Sequence, residues 1–126
     1  MSQSTRDFER SAVAGEDLTA KQFYIVQLDA TGKIEVAEGA TDLVVGVLQN
    51  APYTGEQATY RFIGTTKVIS AGVINIGAWV TTDTAGKAVA TTTDGDIVIG
   101  RYIGTAAAAA DDIIEVQMCV QHLFIA

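Results

Sequence analysis

One cysteine, one proline, one tryptophan and one histidine in 126 residues remove whole classes of chemistry. Cys119 by itself forms no intrachain disulfide, and one thiol with one imidazole cannot assemble a zinc or iron–sulfur centre. A reducing compartment is expected. His122 has no serine, cysteine or second histidine at a useful spacing, so it reads as structural or surface-borne rather than as a general base. No serine sits in a nucleophile-elbow setting. Basic residues are also few: eight Lys and Arg stand against 15 Asp and Glu, for a net charge of −7. Scattered cations on an acidic chain oppose binding to a polyanion, which needs a clustered basic face. No stretch approaches the roughly 18 uninterrupted apolar residues of a membrane helix, and the opening MSQSTRDFERS lacks the apolar segment of a signal peptide. These absences leave a soluble chain with no named acid, base or nucleophile, no cofactor and no metal.

What the chain does have is glycine, twelve residues of it, placed in a repeat. The stretch DATGKIEVAEGATDLVVG from Asp29 to Gly46 returns as DTAGKAVATTTDGDIVIG from Asp83 to Gly100, at a constant offset of 54. Val26 falls on Val80, Asp29 on Asp83, Gly32 on Gly86, Lys33 on Lys87, Asp42 on Asp96, Val44 on Val98 and Gly46 on Gly100. Each copy says strand, tight turn, strand, loop, strand. Phe23 to Leu28 and Trp79 to Thr82 are rich in aromatic and β-branched residues. The Asp-x-x-Gly turns put a carboxylate where it can bond nearby backbone N–H groups, and glycine where positive φ meets no Cβ penalty. Gly46 and Gly100 interrupt apolar runs, the mark of a bulge or a close backbone approach. Carried on without a gap, the register lays Thr59 to Gly64 on Ile113 to Met118.

The size is that of one domain. An all-β fold is predicted: a small β-barrel or β-sandwich-like domain over 16–126, built from two duplicated units at about 23–64 and 77–118. An extended N-terminal arm, 1–15, precedes it. The arm is polar and shows neither periodicity, so it is loose or orders on a partner, with Phe8, Val13 and the flanking Arg6 and Arg10 able to anchor it. Thr66 to Ile76 reads as a strand, a turn at Ala71-Gly72 and a strand leading into the second unit, which makes it the join between copies, and the alanine run after Gly104 reads as a loop. The last strand alternates, with Ile114, Val116 and Met118 on one face. The tail Leu123, Phe124 and Ile125 is too apolar to hang free; it either closes the core or buries against another subunit. Asp94-Gly95-Asp96 has carboxylates but not the spacing of a calcium loop, and a turn is the simpler reading. Gly32-Lys33 and Gly86-Lys87 lack the rest of a phosphate-binding loop and are hairpin turns. Trp79, Tyr53 and Tyr60 allow one other reading, an aromatic platform for carbohydrate, although Trp79 aligns with Ile25 and so with the core.

Taken together, AGEDLTAKQFYIVQLDATGKIEVA, VVGVLQNAPYTGEQATYRFIGTTKVISAG, GAWVTTDTAGKAV and IVIGRYIG resemble the small head-decoration, or capsid cement, proteins of tailed phages, over roughly Ala14 to Val120. The resemblance implies a non-enzymatic virion protein that binds the outside of an expanded capsid and stabilises it. Its partner would be the major capsid protein, its state a homo-oligomer with a trimer favoured, and its place the outer head surface after synthesis in the host cytoplasm. Arg6, Phe8 and Arg10 would then be shell contacts and Leu123, Phe124 and Ile125 subunit contacts. A tail or baseplate β domain is the nearest alternative.

Overall fold

The structure, a computed structural model, describes residues 9–39, 44–93, 95–104 and 108–122, the last four of these by backbone only. Among them stand ten strands and no helix: β1 (Glu9–Val13), β2 (Ile25–Leu28), β3 (Ile34–Val36), β4 (Val44–Leu48), β5 (Gln57–Arg61), β6 (Ile63–Ile69), β7 (Trp79–Thr82), β8 (Ala88–Ala90), β9 (Ile97–Tyr102) and β10 (Ile113–His122). They form two five-stranded antiparallel sheets, ordered β1-β5-β4-β2-β3 and β6-β10-β9-β7-β8. The second order is the first one shifted by five strands. The duplication expected from the glycine turns therefore holds at the level of topology, and the domain is all-β and sandwich-like. Isolated parallel bridges, Ala14↔Ile34 and Ser70↔Ala88, draw the two edges of each sheet together at one end. The sheets curl without closing into barrels.

The repeat is longer than its matching residues suggested, and its register changes once. Glu9–Val13, expected inside the arm, is the edge strand that opens the first unit. Its counterpart β6 overlaps the strand expected at the start of the join, and begins at Ile63 rather than Thr66. Val13↔Gln57 in the first unit corresponds to Ile69↔Ile113 in the second, an offset of 56. The bond from Leu18 N–H to the Pro52 carbonyl likewise corresponds to Ile74 N–H to the Ala108 carbonyl. The gap-free pairing of Thr59 with Ile113 thus gives way to Gln57 with Ile113. Two extra residues have entered the alanine-rich connection before β10, and two have left the connection between β6 and β7.

Two apolar clusters hold the body. One joins the sheets, with Ile25, Ala37, Val44 and Val47 meeting residues such as Val80, Ile97, Ile99, Val116 and Met118. The other lies within the curl of the first sheet and contains Ala14, Leu18, Val26, Ile34, Leu48 and Ala58. Consecutive side chains of a strand point to opposite faces, so Ile25 and Val26, both fully buried, serve different clusters. The strand glycines are close approaches, as their setting in apolar runs predicted. A Cβ at Gly46 would run into the Arg61 carbonyl, and one at Gly100 into that of Gln117. Both sit at ladder irregularities, β2/β4 slipping after Val26 and β9/β10 after Met118.

Candidate functional site

The carboxylates that might have formed a reactive or metal-binding cluster are engaged by backbone N–H groups, hydroxyls and one ammonium. Asp29 Oδ1 accepts from the N–H groups of Thr31 and Lys33 and from the Thr31 hydroxyl, at 2.8, 3.0 and 2.8 Å. The Lys33 N–H is the main reason its carboxyl is held below the ordinary value. Asp83 Oδ1 repeats the arrangement with the N–H groups of Ala85 and Lys87. Asp17 accepts from the Thr19 N–H and hydroxyl, the N–H first in lowering its carboxyl. Asp96 takes the Thr91 hydroxyl and Asp112 the Ala109 N–H. Asp111 meets the Lys87 ammonium at 2.8 Å, and that bond leads in raising the lysine. Asp94 lies outside the described residues. Among those described, no three His, Cys, Asp or Glu side chains gather as a metal site.

Three clefts border described residues. One, of about 390 Å³, lies at the junction of the sheets and is bordered by Phe23, Gln49, Arg61, Thr66, Lys67 and Glu115. Arg61 is committed there, with Nε on Glu9 Oε2 at 3.0 Å and a second nitrogen on the Thr65 carbonyl. An acidic groove of about 240 Å³ includes Glu16, Asp17, Glu35 and Glu38. In it, Glu16 receives the Val36 N–H and Glu35 the Gln27 amide. The third, about 230 Å³, is shallow and largely apolar, formed by Arg10, Val45, Tyr60 and Phe62 on the inner face of the first sheet.

Of the residues expected to make contacts, Arg6, Phe8, Leu123, Phe124 and Ile125 lie outside the described residues. Arg10 is exposed on β1, opposite Tyr60. Trp79, Tyr53 and Tyr60 fall on β7, the β4–β5 loop and β5, and the Arg101 guanidinium covers the Trp79 ring at 4.9 Å. They are not assembled on one element. Sequence reasoning missed four exposed apolar side chains on the second unit: Val73, Ile76, Ile103 and Ile113 are each 45–71% exposed. Their structural counterparts in the first unit are Asp17, Gln22, Gln49 and Gln57, all polar. Comparing the copies position by position, with the two-residue shift included, is the signal that would have found them.

The arrangement is thus one of surfaces and a rigid frame, and comparison with known proteins agrees. Residues 10–118 match the family model of phage cement proteins. This chain belongs to the phage cement protein family. It is accordingly a capsid-binding structural protein of the virion head, as the sequence resemblance implied. Among solved structures, the cement protein resembles the head fiber gp8.5 N base of bacteriophage phi29, with a TM-score of 0.67 and 18% identity over 91% of this chain and 96% of that one. At that identity the likeness is one of fold. No curated protein matches the chain.

Proposed function

We propose that this cement protein sits on the outer surface of an expanded phage head, joins it after synthesis in the host cytoplasm, and ties together copies of the major capsid protein. The family match over residues 10–118 carries this reading. The body supports it: two curled sheets with a shared core make a stiff clamp, and a clamp needs several modest contacts made at once, since linked sites raise avidity without a strong single one. No catalytic group is required of it. Arg6 and Phe8, with Arg10 at the root of β1, are the shell contacts in this reading. A homo-oligomer, a trimer by resemblance, multiplies them, and Leu123, Phe124 and Ile125 add subunit contacts.

Removing Met1 to Phe8 tests the arm while sparing β1. Co-sedimentation with expanded heads should fall at least tenfold while the circular dichroism spectrum and unfolding midpoint stay as in the full chain. Binding at unchanged occupancy would move the shell contact to the body.

A further inference from the structure

The two units of one chain meet through a backbone joint, and half of that joint is repeated without a mate. Within the chain, the segment Phe23–Ile25 docks between the two edges of the second sheet. Ile69 N–H of β6 donates to the Phe23 carbonyl at 3.1 Å, and Ile25 N–H donates to the Gly86 carbonyl at 2.8 Å. Gln49 follows, its amide donating to the Thr66 hydroxyl at 2.9 Å. The first sheet offers the same acceptor groove. Ala14 N–H bonds the Glu56 carbonyl just before β5, so by strand alternation the Val13 N–H, counterpart of Ile69, points away from β5. The Gly32 carbonyl, counterpart of Gly86, accepts no hydrogen bond among the described residues. A Cβ at Gly86 would strike Val36 of the first unit, whereas one at Gly32 meets nothing within 4 Å.

The second unit in turn keeps an unused copy of the docking segment, held in the docked shape. Phe23 has φ +69° and Gly77 has φ +81°. Tyr24 N–H to the Lys21 carbonyl is matched by Ala78 N–H to Asn75, and Phe23 N–H to Leu48 by Gly77 N–H to Tyr102. Trp79 N–H, counterpart of Ile25, has no partner among the described residues, although the Trp79 carbonyl accepts from Thr91. The Gly77 carbonyl accepts from Arg101 Nε at 3.1 Å and retains a second lone pair.

From this we infer that one copy of the protein binds another head to tail: Gly77–Trp79 of one copy docks in the groove of the first sheet of the next, between β1 and the Asp29–Lys33 turn. Val13 N–H bonds the Gly77 carbonyl of the second copy, and its Trp79 N–H bonds the Gly32 carbonyl. Side chains fit the same placement. At the internal joint, Gln49 reaches Thr66; the corresponding pair between copies is Ile103 and Arg10. Ile103, 45% exposed, there enters the apolar cleft of Val45, Tyr60 and Phe62. A polar contact inside the chain becomes an apolar one between chains. Such an interface is heterologous, joining unlike surfaces, and gives a closed ring where its rotation closes. It deepens the oligomeric part of the proposed function, and its test uses free protein, so it fails or stands apart from shell binding.

Lys33→Cys and Ala78→Cys, each made with Cys119→Ser, should form a disulfide dimer under mild oxidation only when the two are mixed, because Tyr24, counterpart of Ala78, lies beside Gly86. In sedimentation velocity, Val13→Pro and Ile103→Asp should each weaken self-association at least tenfold. Proline is tolerated where an edge N–H faces outward, and Ile103 is outside the core; circular dichroism confirms the fold of each. Failure of the mixture to cross-link at high protein concentration, or self-association unchanged in a folded Ile103→Asp, would overturn the inference.

Discussion

The turns Asp29–Lys33 and Asp83–Lys87 are built alike and employed differently. Each closes with an Asp carboxylate on the N–H of the lysine four residues on, and each has glycine at φ near +80°. The first has open space at its glycine, while the glycine of the second is packed on Tyr24, Ile25 and Val36 of the other unit. Duplication thus supplied two identical parts, and assembly of the chain engaged only one. Local sequence sets the shape of such a turn, whereas its energetic weight depends on what it touches.

Substitutions at paired positions sharpen that contrast. Gly86→Ala adds left-handed strain of about 1 kcal/mol to a collision with Val36 and the Ile25 carbonyl, for a total loss of about 3 kcal/mol. Gly32→Ala bears only the strain, about 1 kcal/mol. Urea denaturation of the two variants should separate them clearly, and equal losses would mean that the second turn is not packed as described. Next comes the pair Val47 and Arg101. Val47→Ala, at a fully buried site of the inter-sheet cluster, should cost about 2 kcal/mol through two lost methyl groups and the space they leave. Arg101→Ala removes an exposed cation from the Trp79 ring and should cost at most about 1 kcal/mol, with a shift in Trp79 fluorescence.

Smaller still is the loss of the Gln49 amide to Thr66 across the joint. Gln49→Ala should lower the unfolding free energy by about 1 kcal/mol, whereas Ile103→Ala at the corresponding position should leave the isolated chain nearly unchanged. The smallest effect is one of pH. Asp29 has its carboxyl lowered by the Lys33 N–H and by Thr31, so its ionised form favours the folded state. That contribution is complete above the ordinary carboxylate range and fades as pH falls through the lowered value. Asp29→Asn should therefore flatten the acid side of the stability profile, measured as the urea midpoint from pH 7 downward; an unaltered slope would mean that the turn is as loose in the fold as in the unfolded chain.

The middle of each unit was legible because Asp, Gly and Lys mark the hairpin turn and a lone glycine marks the bulge strand. Asp acts through a carboxylate that accepts from nearby backbone N–H groups, and glycine through positive φ or a close backbone approach. The ends were not. Residues ERSAV of β1 show no apolar alternation, since an edge strand half open to water needs none, and so the strand was expected to belong to an arm. The alanines after Gly104 carry nothing that fixes register, which hid the two-residue insertion and with it the correct partner of Ile113. The absence of an active-site pattern was plain from the lone His122 and Cys119. The exposed isoleucines were in view too, but an apolar residue in a β chain suits core and surface equally until its neighbours are known.

The joint between the halves combines an apolar seam with main-chain bonds, Phe23 with Ile69 and Ile25 with Gly86. Amide-to-carbonyl contacts ask little of the side chains that flank them, so Ile25 and its counterpart Trp79 follow the same backbone course with unlike side chains. The main-chain part of the seam fixes where the backbone runs and leaves residue identity to the apolar part.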